Sequence, residues 1–250
     1  MFTTLEPPYL LTRRRAGADE VFEVAARLVA RLLESQQAVI GEAADLLGAR
    51  LLSGGTVHVF GTGHSRAVAM ELAGRTGGLS SMKELVLDDL VTAGWATKED
   101  LLGGSLERRP EAAQALARRA EIGPADAFIV ISHSGCNGAP VEMALEARRR
   151  GLPVVGITSM EHSRHVSSRH PSGLRLFEVA DPSIDTCAPY ADTAIRLSPK
   201  LLVCGVSSLA GILVAQALTV EIIGRYLEAG ETPPLLVSRN LRAGGNVEER

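Results

Sequence analysis

GTGHSRAVAMELAGRTGG, residues 61–78, is the stretch that decides the fold. It directly follows the apolar run Val57–Phe60, so a β-branched and aromatic segment ends at Gly61 and a helical pattern begins within a few residues. A strand that turns through glycine into a helix presents backbone N–H groups to an anion. The stretch therefore predicts an α/β fold with an anion held where this strand ends.

Apolar runs and helical patterns alternate along the rest of the chain. We predict strands at 57–60, 84–87, 127–131, 153–158 and 176–180, and helices at 18–53, 64–76, 108–120, 139–150 and 201–229. Strands that are apolar throughout are typical of a parallel sheet covered on both faces. The sequence thus predicts a doubly wound sheet of about five parallel strands flanked by helices. We expect residues 1–17 to form an N-terminal arm and residues 18–250 to form a single domain with a helical N-terminal lead-in.

Composition narrows the class of protein. The chain has 250 residues, a net charge of −3 and a pI of about 6.1, with no basic stripe that would favour nucleic acid. Its three cysteines are odd in number and widely spaced, as expected of reduced thiols in the cytoplasm. The N-terminus lacks the pattern of a secretory signal, and no apolar run reaches the length of a membrane span. We expect a cytoplasmic protein whose partner is a small molecule rather than nucleic acid or membrane.

A second glycine-containing turn follows the run at 127–131. Its sequence, Ser132-His133-Ser134-Gly135-Cys136-Asn137, places two hydroxyls and an amide around a glycine at a helix entrance. Such a set can surround one phosphate group. Serine at this position also commonly caps the following helix, which is the purely structural interpretation. Two such turns in one sheet favour a phosphate.

Nucleotide-binding motifs fit the turns less well. A dinucleotide fingerprint requires a third glycine where the chain has Arg66, although Asp88 and Asp89 follow at the distance expected of a ribose ligand. Neither turn is followed by the Gly-Lys-Ser or Gly-Lys-Thr of a P-loop. We therefore predict no nucleotide cofactor.

The two turns resemble those of the SIS (sugar isomerase) domain family. The resemblance rests on Gly61-Thr62-Gly63-His64-Ser65, on Ser132-x-Ser134-Gly135 and on the strand order, and it spans roughly residues 20–246. Within that family the chain is similar to the bacterial branch near phosphoheptose isomerase. The resemblance implies a five-stranded parallel sheet that binds phosphosugars, with the serines of the second turn on the phosphate. It also implies a homodimer or homotetramer.

We predict phosphate- or substrate-binding roles for a set of residues, from their places in the turns, loops and tail and from the resemblance. These are Gly63, Ser65, Arg75, Ser132, Ser134, Gly135, Asn137, Arg169, Ser207 and Asn240. Phosphoheptose isomerases have a histidine where this chain has Glu71 and an acid where it has Arg75, so their mechanism, including a bound zinc, does not transfer unchanged.

Aldose–ketose isomerisation needs a base between C1 and C2 and a group that manages the carbonyl proton. Glu71 lies two helical turns after His64, and we predict Glu71 as the base, with His64 assisting ring opening. An ordinary surface pair between Glu71 and Arg75, four residues apart, is the structural alternative.

Three of the six histidines fall between residues 162 and 170, after the strand at 153–158. His162 or His170 could polarise the sugar carbonyl, and Arg169 could hold a hydroxyl or an acid. Zinc bound by His162, His165, His170 and Glu161 is the competing hypothesis, but their spacing matches no metal signature and we predict no metal. Solvated loop residues are the structural alternative.

From the sequence we predict a phosphosugar isomerase that acts through an enediol. Two other hypotheses remain open: a phosphosugar-binding sensor or regulator, and another phosphosugar enzyme, such as an etherase or a deaminase. The segment before residue 57 lacks a basic helix-turn-helix pattern, which disfavours a DNA-binding regulator.

Overall fold

The computed structural model describes residues 11–12 and 17–238. A five-stranded parallel sheet, with strand order β3-β2-β4-β5-β6, forms the centre of the fold. Its strands are β2 (Val57–Gly61), β3 (Met82–Leu85), β4 (Ala127–Ile131), β5 (Val154–Thr158) and β6 (Ser183–Asp185). The predicted doubly wound sheet is therefore confirmed, and all five carboxyl ends meet at one edge.

Helices cover both faces of this sheet. They are α1 (Ala18–Ser35), α2 (Gln37–Leu52), α3 (Ser65–Leu72), α4 (Asp88–Thr92), α5 (Lys98–Leu102), α6 (Pro110–Arg119), α7 (Gly138–Arg149), α8 (Met160–His165), α9 (Leu176–Val179) and α10 (Ser207–Glu228). Val59 and Ile129 point into a core shared with α2, α3 and α10. Phe60 and Phe128, one residue away in each strand, point into a second core with α6 and α7. Alternate residues of each strand are buried on opposite faces, which explains why these strands are apolar throughout.

The predicted strand at 176–180 is wrong. Residues Leu176–Val179 form the single helical turn α9, and the fifth strand is the shorter segment β6. Glu178 accepts the backbone N–H of Arg175 at 2.8 Å, which closes a capping box at the start of the turn. Leu176 and Val179 of α9 are buried in the second core without belonging to the sheet.

The predicted helix at 201–229 begins later than expected. Residues 201–205 form β8, which pairs antiparallel with β7 (Thr193–Ser198), and β7 pairs in parallel with β1 (Leu11–Thr12). This three-stranded sheet was not predicted. By length and composition α10 could cross a membrane, contrary to the sequence analysis, but Val214, Leu218 and Ile222 are buried in the first core. Core helices of soluble proteins meet the same criteria.

The predicted helix at 18–53 is divided at Gln36. The buried side chain of Gln36 accepts the backbone N–H of Asp185 at 3.0 Å, so the break between α1 and α2 fixes the edge strand β6. The predicted helix at 64–76 ends at Leu72, shortly before Gly74, whose φ is +93°.

Candidate functional site

The two glycine turns lie side by side at the carboxyl edge of the sheet. The first glycine turn, Gly61–Ser65, joins β2 to α3, and the second glycine turn, Ser132–Asn137, joins β4 to α7. Gly63 has φ +54° and Gly135 has φ +61°, a backbone region that favours glycine. Because β2 and β4 are neighbours, both turns present their polar side chains to the same edge.

The second glycine turn is tightly packed. Ser132 Oγ accepts the N–H of Gly135 at 3.1 Å, while Ser134 is only half-buried. A β-carbon at Gly135 would lie 2.7 Å from Ser163 Oγ and 3.0 Å from Thr158 Oγ1. The hydroxyl of Ser132 therefore supports the turn itself, and Ser134 has the more accessible hydroxyl.

A small enclosed pocket lies between the two turns and the start of α10. Its polar lining consists of Ser65, His133, Thr186, Ser207 and Ser208. The enclosed volume is about 10 Å³, roughly the room that one water molecule requires. The structure thus brings the predicted residues Ser65 and Ser207 together.

His133 is the most unusual side chain in this pocket. Both ring nitrogens are buried, and neither has a hydrogen-bond partner among the described residues. Burial lowers the pKa of His133 to about 4. The negative charge of Asp192 opposes this shift, and the nearby His162 adds to it. The imidazole is therefore neutral at pH 7, with one nitrogen free to donate and the other to accept. Nothing in the sequence distinguishes His133 from the other residues of the second glycine turn, because its isolation arises from the tertiary packing.

His162 lies behind His133. The two ring centroids are 4.7 Å apart, and the His162 ring stacks on Tyr190 at 5.1 Å. His162 Nδ1 accepts the N–H of Ala191 at 3.0 Å. Burial lowers the pKa of His162, although Asp192 opposes that shift. Its predicted place at the sheet edge agrees with the structure, but its contact is with His133 and Tyr190.

The side chain of Asp192 caps the N-terminus of α10. Its Oδ1 accepts the N–H groups of Val206 at 2.9 Å and Ser207 at 2.6 Å, and its Oδ2 accepts the Ser207 hydroxyl at 2.6 Å. A carboxylate here is favoured by the helix dipole. Asp192 already binds Ser207, whereas the Ser208 hydroxyl at this end of the pocket has no hydrogen bond to a described residue.

A polar chain crosses the open side of the two turns. Arg169 Nη1 donates to Asn137 Oδ1 at 2.7 Å, and Asn137 Nδ2 donates to Glu107 Oε1 at 3.2 Å. The structure thus brings the predicted residues Asn137 and Arg169 into direct contact. Glu107, which the sequence analysis missed, lies on a short 3-10 helix, Leu106–Arg108.

Glu71 and Arg75 do not line the pocket. Glu71 is bonded by Arg75 and by Gln216 of α10. It lies six residues beyond Ser65 along α3, which corresponds to about 9 Å. The structure shows the Glu71–Arg75 pair that the sequence analysis kept as its alternative, with Gln216 added. The involvement of Gln216 was not foreseen.

His170 is also away from the pocket, contrary to the sequence analysis. Its Nε2 contacts Glu142 at 2.6 Å and its Nδ1 contacts Ser172 at 2.7 Å, so neither nitrogen is left for a ligand. Glu142 also accepts hydrogen bonds from Gln114 and Arg149. Burial alone would raise the pKa of Glu142, but these hydrogen bonds hold it below its usual value.

His64 and His165, two further histidines that the sequence analysis considered, are not among the residues that line the pocket. His64 is exposed immediately before α3, and His165 Nδ1 contacts the carbonyl of Glu161 at 2.6 Å. Within residues 11–12 and 17–238, no group of three or more His, Cys, Asp or Glu side chains could hold a metal ion. Asn240 lies outside the described residues.

Comparisons with known proteins place this geometry in context. Residues 20–159 match the SIS domain family. A UPF0309 protein of Caldanaerobacter subterraneus subsp. tengcongensis is 36% identical over 227 residues, which cover 89% of this chain and 91% of that protein.

Two solved structures share the fold. A phosphoheptose isomerase from Francisella tularensis superposes with a TM-score of 0.54 at 17% identity, covering 82% of this chain and 95% of that chain. The sugar isomerase domain of an RpiR transcription factor from Sphaerobacter thermophilus superposes with a TM-score of 0.50 at 18% identity, covering 84% and 91%. An enzyme and a regulator therefore share this architecture.

Proposed function

Because this chain belongs to the SIS domain family, with UPF0309 proteins among its relatives, we propose that it binds a small phosphorylated sugar and interconverts its aldose and ketose forms. The ligand binds at the carboxyl edge of the sheet, across the two glycine turns. No nucleotide or metal takes part. The observation that carries the proposal is the pair of His133 nitrogens, which have no partner in the part of the chain that the structure describes and lie beside the hydroxyls of Ser65 and Ser208.

Buried polar atoms without partners are rare, and they commonly mark the place of a missing ligand or water. His133 is neutral, so it offers one donor and one acceptor to a ligand oxygen. The enclosed volume of about 10 Å³ admits only one such oxygen. We therefore place the rest of the sugar phosphate outside this pocket, against Ser134 and the start of α7.

The reaction proceeds through an enediol. A base removes the proton from C2 of the open-chain aldose while the C1 carbonyl oxygen gains a proton, and the same group then returns a proton to C1 as the C2 hydroxyl loses its own. A neutral imidazole on the carbonyl oxygen favours this step, because it can donate a hydrogen bond without introducing a fixed charge.

Proton NMR in deuterated water tests the proposal. The wild-type protein is mixed in turn with aldose and ketose phosphates of three to seven carbons, and we expect solvent deuterium at C2 of at least one aldose phosphate. Inorganic phosphate should suppress that exchange by competing for the turns. Binding shifts without exchange for any sugar would instead favour a sensor, the alternative that the RpiR-type neighbour supports.

We further propose that the protein acts in the cytoplasm as a homodimer or homotetramer. Supporting this, α1 leaves Phe22 and Leu33 exposed by 73% and 60%, and α10 leaves Val220 and Leu227 each exposed by 64%. Apolar side chains grouped on outer helices are typical of subunit contacts.

A further inference from the structure

Glu107 is held rigidly at the mouth of the site. The neighbouring Leu106 is 1% exposed and anchors the 3-10 helix in the second core. The carbonyl of Arg108 approaches Gly138 so closely that a β-carbon there would lie 2.3 Å from it. The segment that carries Glu107 is therefore fixed against the first turn of α7.

The two carboxylate oxygens of Glu107 differ in their surroundings. Oε1 accepts the amide N–H of Asn137 at 3.2 Å. Oε2 accepts no hydrogen bond from the described part of the chain, and it lies 3.5 Å from the position that a β-carbon of Gly63 would take. The free oxygen thus faces the space between the first and second glycine turns.

Other carboxylates near this edge are engaged by protein donors. Glu71 is bonded by Arg75 and Gln216, and Asp192 caps α10. Asp185 Oδ1 accepts the N–H groups of Met160 and Cys187. A carboxylate that already accepts several hydrogen bonds is a weak base, because those bonds stabilise its ionised form.

We propose that Glu107 is the catalytic base that carries the proton between C1 and C2, an inference that rests on the proposed isomerase function. Its free oxygen takes the C2 proton of the open-chain aldose phosphate, and the electron pair of the C–H bond becomes the enediol double bond as the C1 oxygen gains a proton. The resulting carboxylic acid returns its proton to C1, and the C2 hydroxyl releases its proton to complete the ketose. The protons balance, and no oxidant or reductant is required.

The surroundings of Glu107 suit this role. Arg169 holds the amide of Asn137 so that its N–H group faces Glu107, which fixes the orientation of the carboxylate. Like charges repel, so the phosphate of the ligand lies away from Glu107. The opposite end of the sugar, with C1 and C2, is then the part nearest to Glu107.

The test compares Glu107→Gln with Glu111→Gln, which makes the same change at an exposed position of α6. The amide oxygen introduced by Glu107→Gln can still accept the hydrogen bond from Asn137. We expect Glu107→Gln to slow deuterium incorporation at C2 by about 10²- to 10⁴-fold, with the sugar phosphate dissociation constant changed less than threefold. Glu111→Gln should match the wild type.

Rescue separates a proton carrier from a merely structural residue. In Glu107→Ala, added formate should restore part of the exchange, whereas chloride at equal ionic strength should not. Exchange in Glu107→Gln within threefold of the wild type, or its loss in Glu71→Gln instead, would overturn the assignment while leaving the isomerase intact. Absence of exchange in the wild type with every sugar would remove the isomerase function, and the role of Glu107 with it.

Discussion

Two histidines with buried ring nitrogens, His133 in the second glycine turn and His170 in the loop after α8, have opposite surroundings. His170 has both ring nitrogens in contact with protein oxygens, one of them on Glu142. His133 has two buried nitrogens without any partner among the described residues. Both are histidines at the same edge of the same sheet, and composition or spacing does not distinguish them.

From this difference we infer that His170 contributes to stability, whereas His133 contributes to ligand binding. The network of Glu142 with His170, Arg149 and Gln114 satisfies each of its buried groups, as expected of a part of the protein that holds the fold together. The isolation of His133 costs folding free energy, and a bound ligand would remove that cost. The following predictions test this contrast.

The largest effect is expected from Glu142→Ala. This change leaves a buried His170 and the guanidinium of Arg149 without their shared acceptor, and breaking a buried pair in this way costs about 3–5 kcal/mol. Urea denaturation measures the loss. Glu146→Ala, on the same helix and bonded to the same Arg149, should cost less than about 1 kcal/mol. Equal losses in the two variants would contradict a special role for the buried network.

A pH effect of about 3 kcal/mol is expected at His133. Its pKa is about 4 in the folded protein, whereas histidine in an unfolded chain titrates near 6.5. Between these values the unfolded chain binds a proton that the folded protein does not, so the free energy of unfolding decreases as the pH falls from about 6.5 to about 4.

Urea denaturation across that pH range measures this slope. His133→Leu should remove the contribution of His133, while His64→Leu, at an exposed histidine, should keep it. A slope in His133→Leu equal to that of the wild type would show that the His133 ring is accessible to water or already partnered.

The smallest effect concerns the second glycine turn. Ser132→Ala combined with Ser134→Ala should weaken sugar phosphate binding by about tenfold to a hundredfold, since the accessible Ser134 hydroxyl loses one hydrogen bond to a charged group, which is worth about 1.5–3 kcal/mol. The fold should lose only about 1 kcal/mol, because Ser132 also accepts the N–H of Gly135. Calorimetric titration measures the affinity, with Ser53→Ala, just after α2, as a remote control. Unchanged affinity in the double variant would exclude the turn as the phosphate site.

The sequence was sufficient for the central strands and both glycine turns. Runs such as Ala127–Ile131 are buried on both faces, so their composition alone reports a parallel sheet. The sequence did not predict the strand at the sheet edge, because β6 is three residues long and includes Ser183 and Asp185. A short polar strand has no pattern of its own, and the apolar turn α9 beside it resembles a strand more closely.

The candidate site divides in a similar way. The sequence predicts the location of Ser65, Ser134 and Asn137, because these residues follow parallel strands whose carboxyl ends meet at one edge of the sheet. Glu107 and His133 become notable only through their neighbours. Glu107 comes from a connection far from either turn in sequence, and no spacing rule relates it to Gly63.

The pairing of β1 with β7 also bears on the order in which the protein folds. Leu11 and Thr12 pair with Ile195 and Arg196, so more than 180 residues of chain separate the two paired strands. Contacts between segments that are distant in sequence form late, because the entropy cost of closing a long loop must be met before the contacts can stabilise the protein. We therefore expect the small sheet to assemble last, after the central sheet has folded.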